Sequence, residues 1–141
     1  ALRVIRLQDV KNAVLLPHRG ELMELLSNSR LTESKLQRAL GTNVLIKKGH
    51  PITEILSVTK RAVNKTGNAG MTHGGTGDVL AGIVAGLIAQ GTDPFTAAKI
   101  ACFVNGKAAD KLYRKRGFGY LASDLVNEIP FVLKGFQRLA H

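Results

Sequence analysis

Between Gly67 and Asp78 the chain reads Gly-Asn-Ala-Gly-Met-Thr-His-Gly-Gly-Thr-Gly-Asp, and the apolar run from Val79 to Ala89 follows at once. Such a segment has few folded solutions. Gly74, Gly75 and Gly77 leave little side chain over the backbone, so several N–H groups can point at one anion. A helix starting near Gly77 adds the unsatisfied donors of its first turn and the positive end of its dipole. Asp78 then puts an acid on the rim of that anion hole. A carboxylate beside a nest of amides suits proton removal from a hydroxyl while the amides hold a phosphoryl group. The pattern therefore points to phosphoryl transfer onto a small molecule.

Two neighbouring motifs fail. A Walker loop closes its glycine run with Lys-Ser or Lys-Thr, whereas Asp78-Val79 follows Gly77 here. The dinucleotide fingerprint needs a third Gly where Leu80 stands. A plain glycine-rich turn before a helix is the default for two glycines; three in four positions with an acid attached outweigh it.

Composition sets the other limits. At 141 residues and 45% hydrophobic content the chain has the length of one domain and enough apolar surface for a core. Lys and Arg number 20 against 10 Asp and Glu, a net charge of +10, which suits nucleic acid, an acidic membrane or phosphate-bearing small ligands. The densest basic cluster, Lys111 to Arg116, closes an expected helix, where the dipole favours cations without any partner. With 5 Phe, 2 Tyr and no Trp, there is no aromatic ladder for single strands, which argues against nucleic acid. The single cysteine, Cys102, excludes an internal disulfide and suits a reducing cytoplasm; an Ala-rich helix around it predicts a buried hydrophobe rather than a nucleophile. The Val79–Ala89 run is too short to span a bilayer, so no membrane association is expected. Its Gly82 and Gly86 are expected to let the helix pack closely.

Along the chain, Ala13 to Leu16 and Val44 to Ile46 read as short, continuously apolar strands, each leading into a loop. Leu22, Leu25 and Leu26 recur at helical spacing within Gly20 to Ser27, and a second helix is expected from Thr32 to Leu40. Ile52 to Val58 and Arg61 to Asn64 form an expected hairpin. The glycine motif opens a helix to Gln90, Phe95 to Lys115 forms a long one, and Ser123 or Asp124 caps the last, which Pro130 interrupts or ends. Strands alternating with helices predict an α/β layered fold with a mostly parallel sheet covered by helices.

Other positions carry weaker signals. His18 follows the first strand, at the kind of strand end where α/β sheets place ligands, and is equally explained as an idle loop histidine. His18 and Glu21 share helical spacing, but no further ligand joins them, so no metal site is assigned. Lys47-Lys48-Gly49 leaves the second strand as a turn or a phosphate contact. Asn105-Gly106 inside the long helix implies close packing against a ligand or the glycine-motif helix, or a kink.

Taken together, these stretches resemble the C-terminal half of the ADP-dependent NAD(P)H-hydrate dehydratases of the ribokinase-like superfamily. The resemblance runs through Leu16-Pro17-His18-Arg19-Gly20-Glu21, Leu45 to Gly49, Asn64 to Met71, Gly74 to Gly82, Asn105 to Asp110 and Ala122 to Leu125. It implies that residues 1–141 are the C-terminal part of a single ribokinase-like domain. It also implies a repair reaction: ADP phosphorylates the hydroxyl of the S-epimer hydrate, phosphate is eliminated, and AMP and NADH or NADPH are released. Asp78 would bind the hydrate and act as base, Gly74, Gly75, Thr76 and Gly77 would hold the transferred phosphoryl group, and His18 would contact the hydrate. Lys48, Gly49, His50, Pro51 and Ile52, with Gly77, would line the adenine nucleotide, and Mg2+ would accompany it. The implied partners are the hydrate and ADP, with a homo-oligomer or a missing N-terminal half completing the pocket. The chain departs from the family pattern at Leu16 (usually Thr), Arg19 (usually Pro), His73 (commonly Thr or Val) and Asn105 (often His). A vitamin-precursor kinase of the same superfamily, or a non-catalytic half binding a partner chain or nucleic acid, is the alternative.

Overall fold

The computed structural model describes residues 4–136. In chain order they form β1 (Val14–Leu15), α1 (Arg19–Asn28), α2 (Glu33–Ala39), β2 (Val44–Lys47), β3 (Thr53–Leu56), β4 (Arg61–Asn64), α3 (Thr76–Ala89), α4 (Pro94–Arg116) and α5 (Ala122–Lys134). Short 3-10 turns lie at Leu7–Asp9 and Ala69–Thr72.

Val44, Leu45 and Ile46 of β2 are all buried, and a strand sends alternate side chains to opposite faces. Leu45 joins Leu15 and Leu56 in a core closed by Leu22, Leu25 and Leu26 of α1 and Leu36 of α2. Val44 and Ile46 join Ile55 on the other face, under Leu80 and Val84 of α3 and Ala98, Ala101 and Cys102 of α4. The sheet is thus the middle of three layers. A further core, with Val104, Ala108, Leu112, Tyr120, Leu125 and Val132, fixes α5 to the back of α4.

The four strands lie in the order β1-β2-β3-β4. Here the α/β class holds but the parallel expectation needs correction: β1–β2 is parallel, while β2–β3 and β3–β4 are antiparallel. The reason is connection length. Only β1 and β2 are joined by crossover helices; the later strands are linked by short turns, which reverse the chain.

Four local expectations change. Gly82 and Gly86 face open space, since a Cβ at either meets nothing within 4 Å, so neither serves close packing. The last helix begins at Ala122, and Asp124, not Ser123, secures its start by accepting from the Leu121 amide at 2.8 Å. It continues through Pro130 because Leu125 and Val132, on either side, are both buried in the core shared with α4. The basic end of α4 is committed internally. Lys111 and Lys115 each reach the buried Glu128 of α5 at 2.9 Å, and Arg116 reaches Asp124 at 3.1 Å. Among the described residues no helix is long and apolar enough to cross a membrane.

Candidate functional site

β1 and β2 both end toward the same side of the sheet, and antiparallel pairing brings the start of β3 and the end of β4 there too. A cavity of about 380 Å3 opens at that end, the position where α/β sheets take their ligands. One wall is His18 and Arg19 after β1. A second is Lys48, Gly49, His50 and Pro51 after β2, with Thr53 of β3. The floor is Asn64, Thr66, Cys102 and Asn105, and the remaining side is Gly67 to Ala69, Met71 to His73, Thr76, Gly77 and Leu80. The structure therefore gathers His18, Lys48, Gly49, His50, Pro51, Thr76 and Gly77 around one space, whereas Ile52, Gly74, Gly75 and Asp78 stand outside its lining.

The glycine turn delivers donors as its pattern requires. α3 starts at Thr76, one residue earlier than Gly77, with Gly75 as N-cap at φ +85°. Only glycine takes that left-handed conformation without strain. Among the described residues the N–H groups of Gly74, Gly75, Gly77 and Asp78 have no acceptor, while Thr76 N–H reaches His73 O at 3.4 Å. Thr76 also spends its hydroxyl internally, 2.6 Å from Met71 O and 2.9 Å from His73 O. Its side chain ties the turn together and is not aimed at the anion hole. Asp78 is exposed in the first turn of α3, with no ion pair among the described residues.

The two adjacent lysines separate cleanly. Lys47 is held by Glu33 and, at 3.5 Å, by Glu54, and the hydrogen bond it donates to the Glu33 carboxylate raises its pKa. Lys48 has no such partner among the described residues, and its ammonium lies over Gly77: a Cβ there would be 3.0 Å from Nζ. Gly49 allows the chain to turn, since a Cβ would sit 2.7 Å from the Ile52 carbonyl oxygen.

His18 caps α1. Its Nδ1 accepts from the Glu21 amide at 3.1 Å, and the Glu21 carboxylate accepts from the His18 amide at 3.0 Å, which holds the Glu21 carboxyl below its usual range. With Nδ1 occupied, a neutral His18 carries its proton on Nε2, which lies 3.7 Å from Glu21 Oε2. The same bonds remove this pair from metal ligation, and no cluster of His, Cys, Asp or Glu fit for a metal occurs among the described residues. His73 turns its Nε2–H to the Phe118 carbonyl oxygen at 3.2 Å. Cys102 is buried in the floor, and burial pushes its thiol up to about 12, so it is no nucleophile.

Several residues that position the site escaped the reading of its motifs. Asp110 of α4 accepts from Gly67 N–H at 3.1 Å and from Asn68 Nδ2 at 3.2 Å, and Tyr120 donates to Asn68 Oδ1 at 2.7 Å. Gly106 resolves the glycine inside α4: a Cβ would lie 2.6 Å from the Thr66 carbonyl carbon, so at Gly106 it is the segment after β4, not α3, that approaches the helix closely. Arg19 adds a second cation to the wall. Among the described residues lining the cavity there is no carboxylate at all. Cations, orphan amides and no opposing acid suit a multiply charged anion.

Comparison with known proteins agrees. Residues 5–131 match the family described as NAD(P)H-hydrate dehydratase. The ADP-dependent (S)-NAD(P)H-hydrate dehydratase of Nitrosopumilus maritimus is 37% identical over 144 residues, 96% of this chain and 50% of that protein. A bifunctional NAD(P)H-hydrate repair enzyme of Archaeoglobus fulgidus is 41% identical over 117 residues, 83% of this chain and 24% of that protein. The structure of the ADP/ATP-dependent NAD(P)H-hydrate dehydratase of Bacillus subtilis, co-crystallised with ATP and Mg2+, superposes with a TM-score of 0.73 at 29% identity. That match covers 88% of this chain and 48% of that one. The chain thus spans between a quarter and a half of the length of these relatives.

Proposed function

The chain belongs to the NAD(P)H-hydrate dehydratase family, and on that premise we propose that it serves the ADP-dependent dehydration of (S)-NAD(P)H hydrate. Residues 1–141 are read as the C-terminal part of one ribokinase-like domain, acting in the cytoplasm, completed by an N-terminal half or a second copy. The observation that carries the reading is the acid-free cavity walled by Lys48, Arg19 and the first turn of α3.

ADP places its phosphates against the Gly77 amide and the Lys48 ammonium, with Lys48 to Ile52 along the nucleotide. The orphan amides of Gly74, Gly75 and Gly77 face charge that grows on the phosphoryl oxygens during transfer. His18 offers Nε2–H to the hydrate. Asp78 takes the proton from the hydrate hydroxyl as that oxygen bonds to the β-phosphorus of ADP and AMP departs. Loss of a proton from the neighbouring ring carbon and of inorganic phosphate then restores the double bond. Mg2+ bound with the nucleotide would neutralise phosphate charge. With no carboxylate among the described lining residues, the cavity wall would offer such an ion no acidic ligand.

Recovery of reduced-nicotinamide absorbance from the S hydrate, with ADP and Mg2+, tests the proposal. Asp78→Asn is expected to slow recovery by about 10²–10⁴-fold, the range for loss of a general base. Full activity in that variant, or recovery without any nucleoside diphosphate, would sink the assignment. Accumulation of a stable phosphorylated product would turn it toward a kinase.

A further inference from the structure

Asn105 lies midway along α4, 1% exposed, at the floor of the cavity. Its Oδ1 is fully buried and has no hydrogen-bond donor. The donors nearby in the floor are already engaged. Asn64 Nδ2 gives its protons to Thr66 O at 3.1 Å and Cys102 O at 3.3 Å, and the Thr66 hydroxyl lies 2.8 Å from Asn64 Oδ1. A buried carbonyl left without a donor is destabilising, and its persistence on a cavity wall marks a place where a ligand completes the bond.

The chemistry narrows the ligand group. Phosphate oxygens accept and do not donate, so the phosphates of a nucleotide cannot satisfy Oδ1. ADP carries donors at two places only, the adenine 6-amine and the ribose hydroxyls. A carboxamide sets an acceptor beside a donor in one plane, which complements an amine next to a ring nitrogen, the edge that adenine presents. Leu80 and Met71 line the same cavity and give a planar ring apolar contact.

We propose that Asn105 is the specificity-determining residue for the base of the nucleotide, its Oδ1 accepting from the adenine 6-amine and its Nδ2 donating to the adjacent ring nitrogen. The inference rests on the ADP reading above and adds the group that selects adenine. The carboxamide of the hydrated nicotinamide ring presents the same donor–acceptor pair, so the test separates the two sources.

Calorimetric titration of the parent chain and Asn105→Leu would use ADP, purine riboside 5′-diphosphate (which lacks the 6-amine), 2′-deoxy-ADP and inorganic pyrophosphate, without hydrate. The parent is expected to prefer ADP over the amine-free analogue by about tenfold or more, as for other sites built around a polar group. In Asn105→Leu that ratio falls to about one, while pyrophosphate binds both proteins equally and reports an intact fold. The inference is overturned if the parent shows no preference for the amine, if the preference survives in the variant, or if the 2′-hydroxyl carries it. Should Asn105→Leu fail to fold, Asn105→Ala is read in its place, with the same loss of the ratio expected. A parent that binds no ADP removes the nucleotide reading together with this one, and ADP binding without amine preference removes only this one. A parallel titration with the S hydrate in place of nucleotide separates the other source: a variant that weakens hydrate alone overturns the inference and assigns Asn105 to the nicotinamide.

Discussion

Gly67 and Gly70 open the same segment that Gly74 and Gly77 close, yet the two pairs sit in opposite surroundings. A Cβ at Gly67 would lie 2.6 Å from Met71 Sδ, and one at Gly70 would lie 2.7 Å from the Tyr120 hydroxyl oxygen and 2.8 Å from the ring. A Cβ at Gly74 meets nothing within 4 Å, and one at Gly77 meets only the tip of Lys48. The first pair is glycine because the protein is already there. The second is glycine where space is kept for something else. Hydrogen bonding divides in the same way. Around Gly67 and Gly70 the polar groups of Asn68, Asp110 and Tyr120 satisfy one another, while around Gly74 and Gly77 the amides, the Lys48 ammonium and the Asp78 carboxylate are unpaired among the described residues. Closed polarity marks a scaffold, and open polarity marks the working surface.

This contrast can be broken at several points. Gly106→Ala should have the largest effect on stability, about 3 kcal/mol or more, because the new Cβ meets Thr66 backbone that cannot step aside. Chemical denaturation would measure it, and a loss below about 1 kcal/mol would show that the packed side is softer than described. Lys48→Met should keep the melting temperature and weaken ADP binding by roughly tenfold or more, since a charge-assisted contact to phosphate is lost. Equal ADP affinity in that variant would remove Lys48 from the site.

Glu128→Gln should cost about 1–3 kcal/mol, as two lysines then face a neutral partner at the α4–α5 contact. Lys115 and Lys111 hold the Glu128 carboxyl below its ordinary 4.5. A depressed carboxyl contributes stability that is present above 4.5 and lost as pH falls through its folded value, so the parent should lose more stability under acid than the variant does. Parallel acid curves for the two proteins would contradict the pairing. Gly74→Ala should change least, within about 0.5 kcal/mol. A large destabilisation there would erase the difference between the two glycine pairs.

Much of the fold was legible because it depends on local order. The strands at Val44 and Arg61, the start of α3 beside Gly77 and the break before Pro94 follow from apolar runs, glycine and capping residues. The unpaired amides of the glycine turn were legible for the same reason, since orphan amides at a helix start are a property of the chain itself. The β3–β4 hairpin was legible too, whereas the expectation of a mostly parallel sheet missed the antiparallel β2–β3 pair, whose direction depends on connection length. The basic tail of α4 read as solvated, although Glu128 and Asp124 lie on another helix.

The sequence by itself determined the layered α/β class, the glycine turn and the acid that follows it, because these need only residues adjacent in the chain. Tertiary structure alone decided that Lys48 and not Lys47 faces the cavity, that Thr76 spends its hydroxyl on the turn, that Gly106 yields to Thr66, and that Asn105 keeps a buried oxygen without a donor. Each of those outcomes depends on which distant groups arrive first at a given donor, acceptor or space, and no local pattern encodes that.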